Sequence, residues 1–195
     1  MELIEKILSE ENLQKAIRKV KKNKGAPGVD KMTVQEVEEW FNQYKEELIS
    51  KILNKQYKPM PVKRVYIPKP NGKQRPLGIP TVVDRVIQQA MLQVLSEIYE
   101  PIFSDHSYGF RPNRSAHMAM LGYLNDGYEW IVDLDIEKFF DTVNHDKLIS
   151  ILRERVNDSR TLHLIRAYLQ AGVLDKGLVR SSTIGTPQGG PISVI

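Results

Sequence analysis

One segment, WIVDLDIEKFFDTVNH at residues 130–145, constrains the fold of this chain more than any other. Its alternating apolar residues are typical of a buried strand, and we predict a strand over residues 129–135. Four carboxylates fall within nine residues of this segment: Asp133, Asp135, Glu137 and Asp141. Buried carboxylates are costly unless they are paired, hydrogen-bonded or bound to metal. The segment is therefore a candidate metal site.

The spacing of the acids favours two of the four as metal ligands but does not establish a metal site. On a strand, Asp133 and Asp135 share one face. Mg²⁺ typically takes one or two protein carboxylates, while waters and substrate phosphates complete its octahedron. The alternative is that these acids lie on the surface and cap nearby helices, a role that suits Asp141. The residues alone leave both interpretations open.

Basic residues are concentrated in the first part of the chain. The net charge is +4, but residues 1–80 carry 17 basic and 10 acidic side chains, whereas residues 81–195 carry 11 and 14. Between Leu48 and Val83 there are eight basic residues and no acidic one. Such a surface is either simply solvated or a contact for a phosphate backbone.

Composition excludes several classes of protein. The chain has no cysteine, which excludes disulfides and thiolate metal sites. No run of about 18 apolar residues occurs, so we predict no membrane span. The first 24 residues form a charged amphipathic pattern and do not resemble a secretory signal.

Apolar spacing of three and four residues predicts most of the chain as helix. The predicted helices cover residues 2–22 with a break near Ser9, 34–54 with a capping box of Thr33 and Glu36, 84–103, 115–125, 145–155 and 159–171. VKRVYIPKPNGKQRPLGIP (62–80) reads as a β-hairpin with an Asn-Gly turn, and a short hairpin is predicted after residue 171. The chain stops inside the element that follows, so we expect it to be a fragment.

Three segments carry candidate ligand contacts. The hairpin bears five cations, and its prolines are predicted to keep it out of a larger sheet, so it is either a mobile cover for a triphosphate or an ordinary exposed hairpin. YGFRPNRS (108–115) combines two arginines with two aromatics, which suits a nucleic acid or a loop held by salt bridges. GTPQGGP (185–191) either brings backbone N–H groups to a ligand or is simply a loop. The histidines have no metal-ligand spacing, and none is given a catalytic role.

The order of these motifs resembles the reverse transcriptase family, and most closely the bacterial group II intron-encoded reverse transcriptase/maturase. NKGAPGVDKMT (23–33) is similar to the extra N-terminal motif of that lineage, and IPKPNGKQRPLGIPTVVDRVIQQAM to its first core motif. The resemblance extends from about residue 12 to the end. It implies an α+β right-hand polymerase, with helix-rich fingers that carry a basic β-hairpin and with an antiparallel palm sheet.

The resemblance also implies a division of the chain. Residues 1–32 match the N-terminal extension, residues 33–125 the fingers with the hairpin at 62–80, and residues 126–195 a partial palm. The family's second metal-binding pair, an aromatic-Ala-Asp-Asp turn, does not occur in the sequence. We therefore expect the palm to be truncated before that motif.

The resemblance assigns roles around the acidic segment. Asp135, and not Asp133, matches the first catalytic aspartate and metal ligand, and Ile136 lends its backbone carbonyl to the metal. Phe140 aligns with the bulky residue under the nucleotide sugar, which rejects a 2′-hydroxyl; Phe139 takes that role if the register differs by one.

Further residues match contacts to nucleotide and nucleic acid. Lys69 and Arg75 match the residues that hold the incoming triphosphate, and Gln188 lies near nucleotide and template in the family. Nucleic-acid contacts are expected at Lys63, Arg64, Arg111 and Arg114. Of these, Arg111 and Arg114 resemble contacts on the template side. Lys19, Lys21 and Lys22 are the best candidates for contact with intron RNA; the alternative is a solvated helix face.

The function implied is that of an RNA-directed DNA polymerase, a nucleotidyltransferase acting in group II intron retrohoming and, as a maturase, in splicing. The implied partners are intron RNA, an RNA template with a DNA primer, and dNTPs. The implied cofactor is Mg²⁺ in a two-metal site, with Mn²⁺ as a substitute, and the implied location is a cytoplasmic, nucleoid-associated bacterial ribonucleoprotein. Alternatives are a non-catalytic RNA-binding splicing cofactor, or another prokaryotic reverse transcriptase of retron or phage-defence type. We expect the fragment to bind nucleic acid but not to polymerise alone.

Overall fold

The computed structural model describes residues 2–70, 72–186 and 189–194. Eight α-helices occur in these ranges: α1 (Leu3–Ile7), α2 (Glu10–Lys22), α3 (Val37–Leu53), α4 (Val82–Tyr99), α5 (Ala116–Asn125), α6 (Phe139–Thr142), α7 (His145–Arg153) and α8 (Ser159–Gln170). Four strands form one sheet: β1 (Val62–Pro68), β2 (Gln74–Ile79), β3 (Val173–Asp175) and β4 (Leu178–Arg180). Two short 3₁₀ helices cover Glu100–Ile102 and Pro191–Val194. The expected α+β class is confirmed.

The core is formed by helices from both ends of the chain. α2 packs along α4, and α8 contacts both α1 and α3. Fully buried side chains come from each of these layers, among them Ile4, Ile17, Val37, Ile87 and Leu164. Tyr44 of α3 is exposed, whereas Phe41 and Leu48 on the same helix are buried. In the part of the chain that the structure describes, no helix is both long and apolar enough to cross a membrane.

The start of α3 differs from its prediction in an informative way. The Glu36 carboxylate accepts from the Thr33 backbone N–H at 2.7 Å, as a capping box requires. The Thr33 hydroxyl, however, donates to the same carboxylate at 2.5 Å and accepts no bond from the first turn of the helix. The helix therefore begins at Val37, three residues later than predicted.

The predicted pairing of the two hairpin strands is confirmed, and Asn71 of the predicted Asn-Gly turn lies outside the described residues. The prediction that the hairpin stays out of a larger sheet is wrong. β1 and β2 pair antiparallel from Lys63 opposite Ile79 to Pro68 opposite Gln74. β1 also pairs in parallel with β3 through Val62 and Lys63, so the sheet order is β2-β1-β3-β4. Pro68 and Pro76 lie beyond this pairing, towards the hairpin tip, where a missing N–H breaks no ladder with β3.

The predicted strand over residues 129–135 is wrong, because this segment has no regular secondary structure. Its apolar side chains are almost fully exposed: Trp130 is 92%, Val132 81% and Leu134 88% accessible. Alternating apolar residues predict a strand only if another strand satisfies their backbone groups. Among the described residues, all strands that form the sheet lie elsewhere. The adjacent helix α5 buries none of its residues either.

A buried carboxylate joins the sheet to the helices. Asp84, in the first turn of α4, is 1% exposed. Its carboxylate accepts hydrogen bonds from the Tyr57 hydroxyl at 2.7 Å, the Thr81 hydroxyl at 2.7 Å and the Met60 N–H at 3.3 Å. Burial raises the pKa of the Asp84 carboxyl because desolvation disfavours the charged form, and these hydrogen bonds lower it in part.

The loop before α3 makes a close backbone contact with the start of α4. A Cβ placed on Gly28 would lie 2.7 Å from Thr81 Cα and 2.9 Å from the Pro80 carbonyl oxygen. The neighbouring atoms are backbone, so they cannot move aside cheaply. Arg85 reinforces the contact by donating to the Ala26 carbonyl at 2.8 Å.

We predict that Gly28→Ala lowers the free energy of unfolding by about 1–3 kcal/mol, as overpacking does at a close contact. The matched control is Gly122→Ala in α5, where an added Cβ meets nothing within 4 Å. Alanine is the better helix former, so this control is expected to keep or raise stability by up to about 1 kcal/mol. Urea denaturation measures both; equal stability of Gly28→Ala and wild type would contradict the contact.

Candidate active site

A cleft of ≈ 860 Å³ lies between the β1–β2 hairpin and residues 134–141. The hairpin contributes Arg64, Lys69 and Arg75, and the opposite wall contains the acidic segment. Six residues predicted from the sequence to act on nucleotide or nucleic acid are brought together here: Arg64, Lys69, Arg75, Asp135, Ile136 and Phe140. Residues more than 60 positions apart therefore face the same space.

The acidic wall is held by a short helix and by the glycine-rich loop. The backbone of Lys138 is left-handed, with φ 54°, and turns the chain into α6. The N–H groups of Gly185 and Thr186 donate to the carbonyls of Val143 and Phe140 at 2.8 and 2.7 Å. These two N–H groups thus serve the wall and are not offered to a ligand, which favours the structural interpretation for this part of GTPQGGP.

Gly185 and His145 complete this support. Gly185 has φ +80°, and a Cβ there would lie 2.7 Å from the Asp141 carbonyl oxygen. The buried ring of His145 donates from Nε2 to the Gly185 carbonyl at 2.6 Å. His145 is the first residue of α7, as predicted, and its ring positions the loop.

Both candidate aromatic residues line the cleft. The rings of Phe139 and Phe140 meet edge to face with centroids 5.5 Å apart. Phe139 is 51% exposed, and Phe140 is half-buried. The choice of Phe140 as the residue under the sugar therefore stays a prediction.

The cleft offers oxygen ligands for a hard cation, though few of them. Asp135, Ile136 and Asp141 all line it. In the described ranges, no group of three or more Asp, Glu, His or Cys side chains is placed to hold a metal ion. One or two carboxylates fit Mg²⁺, which usually keeps waters and substrate oxygens. The donor set therefore suits Mg²⁺ or Mn²⁺ and not a cation that needs sulfur or several imidazoles.

The remaining predicted residues lie outside the cleft. Lys63 is exposed on β1, and Lys19 and Lys22 are exposed on α2. Lys21 is half-buried and binds Glu38 at 2.7 Å. Gln188 is outside the described residues, as is Pro187 beside it.

Arg111 is committed to its own loop. Its side chain is only 7% exposed and pairs with the Glu100 carboxylate at 2.9 Å. It also donates to the carbonyls of Glu100, Ser104 and Ser107 at 2.7–3.3 Å. These contacts use the donors that a phosphate would need, so the structure favours the alternative of a loop held by salt bridges.

Arg114 is more accessible than Arg111. It pairs with Asp105 at 3.0 Å and lies 5.5 Å from the centroid of the Tyr108 ring. Its side chain is 24% exposed. Of the two arginines, only Arg114 keeps a surface from which to reach a template.

Sequence reasoning missed two parts of the cleft. Lys138 and Thr186 line it, yet neither was singled out from the sequence. Lys138 adjoins the acidic motif, which is a usable signal. The contact of Thr186 with Phe140 joins positions 46 residues apart, and no local spacing announces it.

Comparison with known proteins identifies the family of the chain. The family model described as reverse transcriptase (RNA-dependent DNA polymerase) matches residues 67–195. The chain therefore belongs to the reverse transcriptase family.

Two bacterial proteins are similar to this chain over part of their length. The protein YkfC of Escherichia coli (strain K12) is 40% identical over 200 residues, a match that covers 98% of this chain and 52% of YkfC. The group II intron-encoded protein LtrA of Lactococcus lactis subsp. cremoris is 42% identical over 157 residues, covering 77% of this chain and 26% of LtrA. The chain thus spans about half the length of one relative and a quarter of the other.

A solved structure shows the same fold. One chain of a partial Cas6-RT-Cas1–Cas2 complex matches with a TM-score of 0.65 and 25% identity. The match covers 99% of this chain and 32% of that chain. The fingers-and-palm type of fold expected from the sequence is confirmed at this level.

We predict that Arg111→Gln lowers stability by about 1–3 kcal/mol, because a buried set of hydrogen bonds is left partly unmade. Proteolysis at residues 104–107 should become faster in the same variant. Arg114→Gln, the matched control at a more exposed arginine, is expected to have a smaller effect on both. If Arg111→Gln kept full stability and instead weakened RNA binding, the template role would be supported.

Proposed function

We propose that this cleft is the nucleotide-binding part of an RNA-directed DNA polymerase site, and that the protein acts in group II intron retrohoming. The observation that carries the proposal is the placement of Lys69 and Arg75 across the cleft from Asp135, Ile136 and Phe140. The cations suit the triphosphate of a nucleotide, the carboxylate and a backbone carbonyl suit its metal ion, and the aromatic ring suits its sugar. The relatives named as intron-encoded proteins support the intron context.

In the proposed reaction a primer 3′-hydroxyl attacks the α-phosphate of a dNTP and pyrophosphate leaves. Lys69 and Arg75 neutralise charge on the triphosphate, a mainly electrostatic contribution. Phe140 closes the space that a 2′-hydroxyl would need. Asp135 and the Ile136 carbonyl would hold Mg²⁺, which supplies charge stabilisation at the reacting phosphate when bound. Gln188 is proposed to lie near nucleotide and template.

Nucleic acid is proposed to reach the cleft over the basic surfaces. Lys63 and Arg64 at the base of the hairpin, with Arg114, are proposed to follow the template backbone. Exposed Lys19 and Lys22 are proposed to contact intron RNA, while Lys21 contributes less because it is paired with Glu38. The proposed division is an extension at 1–32, fingers at 33–125 and part of the palm at 126–195.

A second candidate function is that of a non-catalytic splicing cofactor. Its support is the similarity to Nuclear intron maturase 1, mitochondrial, of Arabidopsis thaliana, 32% identical over 93 residues. Two of the three basic residues at the end of α2 are also exposed and available to RNA. This function would need the basic surfaces but not Asp135.

We predict that Lys69→Gln weakens Mg²⁺-dependent dNTP binding about tenfold, the loss expected for one charge-assisted hydrogen bond. Asp135→Asn should remove the Mg²⁺ dependence while leaving affinity for an RNA–DNA hybrid equal or slightly higher, since a negative charge is lost. Lys58→Gln, an exposed lysine away from the cleft, is the control. Titration of a fluorescent dNTP measures nucleotide affinity and its Mg²⁺ dependence, and fluorescence anisotropy measures affinity for the RNA–DNA hybrid.

The same variants distinguish the polymerase from the splicing cofactor. Unchanged dNTP binding in both cleft variants, with RNA binding intact, would favour the splicing cofactor. A loss of hybrid affinity in Asp135→Asn would contradict the separation of catalysis from RNA binding.

We also predict that the 195-residue chain extends no primer. Two-metal nucleotidyl transfer needs enough carboxylates to hold ions about 4 Å apart. The described residues provide no cluster of three such ligands, so charge in the transition state is poorly stabilised. A primer-extension assay with Mg²⁺ and Mn²⁺ checks this; synthesis that Asp135→Asn abolishes would show the prediction to be wrong.

A further inference from the structure

A second concentration of positive charge lies at the start of α8, within the acidic half of the chain. Residues 153–166 carry four basic and two acidic side chains, whereas residues 81–195 as a whole carry 11 and 14. We call this surface the α8 patch and define it by Lys55, Arg153, Arg155, Arg160, His163 and Arg166.

The α8 patch is concave. Two grooves of ≈ 800 and ≈ 360 Å³ flank the first turn of α8 and share Lys55, Asn157, Asp158 and Ser159. Arg155 and Arg160 line the larger groove, and Arg153 and Arg166 line the smaller one. The arginines therefore border one continuous depression from two sides.

Three of its cations have no carboxylate partner among the described residues. The side chains of Arg153 and Arg155 are exposed and make neither an ion pair nor a hydrogen bond with other described residues. The Lys55 ammonium donates only to the Ser159 hydroxyl, at 3.1 Å. By contrast, Arg160 pairs with Glu2, and Arg166 with Asp146 at 2.5 Å.

The nearby buried acid is already committed to the fold. The Asp158 carboxylate accepts from the N–H groups of Ile4 at 2.7 Å and Arg160 at 2.9 Å, and from the Thr161 hydroxyl at 3.1 Å. It caps α8 and so occupies the positive end of the helix dipole. The positive charge of the patch therefore comes from side chains and not from the helix terminus.

We propose that the α8 patch binds the phosphate backbone of a structured RNA at a surface separate from the active-site cleft. Guanidinium groups bind phosphate oxygens in a bidentate manner and are weakly hydrated, which suits exposed Arg153 and Arg155. None of the exposed large apolar residues in the described ranges lines either groove. A protein partner would need such apolar anchors at its centre, and a phosphate backbone does not.

The start of α8, beside Arg153 and Arg155, is too far from the cleft for one phosphate to reach both. α8 has 12 residues and leads from the patch to β3, whose Val173 lines the cleft. A helix of that length spans about 18 Å. RNA held at the α8 patch is thus a second contact of the same molecule or a second molecule. The inference rests on the proposed function only in taking RNA as the ligand.

The test is the salt dependence of binding to a blunt 20-base-pair RNA duplex, followed by fluorescence anisotropy. In Arg153→Gln/Arg155→Gln the affinity should fall tenfold or more near 0.1 M salt. The slope of log affinity against log salt should become shallower by about 1–2, as expected when two phosphate contacts are lost. The control Lys58→Gln/Lys147→Gln removes the same charge at exposed lysines outside the patch and should leave the slope nearly unchanged.

Two further variants make the result decisive. Arg153→Lys/Arg155→Lys keeps the charge and should restore most of the slope, which a general loss of folding would not allow. Lys63→Gln/Arg64→Gln at the hairpin should weaken binding independently and additively. If only the hairpin variant lost RNA affinity, the α8 patch would be overturned and the proposed function would stand. If only the patch variant lost RNA affinity, the α8 patch would stand and the proposed function would be overturned.

The remaining outcome concerns the class of partner. Polyglutamate of matched charge should compete poorly with the duplex at the patch. Competition as strong as that of unlabelled duplex, lost in Arg153→Gln/Arg155→Gln, would indicate an acidic protein as partner and overturn the proposal for RNA.

Discussion

The carboxylate of Asp84 lies buried where three segments meet: the α3–β1 connection, the β2–α4 connection and α4. It lies in the first turn of α4, which the Thr81 hydroxyl caps, and it accepts hydrogen bonds from Tyr57 and Met60 before β1 and from Thr81 after β2. A buried charge is tolerated only when several donors surround it, so these segments must approach in one arrangement. That arrangement places the base of the hairpin on the helical core. The position of Lys69 and Arg75 over the cleft follows from it, because both are carried by the hairpin.

Helices and hairpins were predictable from sequence because their signals are local. The break at Ser9, the cap of α5 by Ser115 and the Asn-Gly hairpin each depend on a few neighbouring residues. The strand predicted at 129–135 does not form, because alternating apolar residues become a strand only beside another strand. The parallel pairing of Val62 with Val173 was missed for the same reason, since it joins positions 111 residues apart.

The residues of the candidate site likewise fall into those that the sequence identified and those whose contacts only the structure shows. Resemblance to a family identified Asp135, Ile136, Lys69, Arg75 and Phe140, and the structure places all five around one cleft. The resemblance did not reveal that the Arg111 side chain donates its hydrogen bonds to its own loop. A motif records which residue stands at a position and not what that residue contacts. Arginine next to aromatic residues fits both a template contact and a loop anchor. Only the 7% exposure of its side chain separates them.

The width of the cleft depends on backbone contacts that glycine alone permits. Gly185 lies against the acidic wall, where a Cβ would be 2.7 Å from the Asp141 carbonyl oxygen. Gly189, with φ +116°, lies against the hairpin, where a Cβ would be 2.6 Å from the Gly78 carbonyl oxygen. One short loop thus touches both walls, main chain against main chain. A side chain at either position would collide with backbone, so glycine at both positions is what allows the loop to lie this close to the acidic wall and to the hairpin.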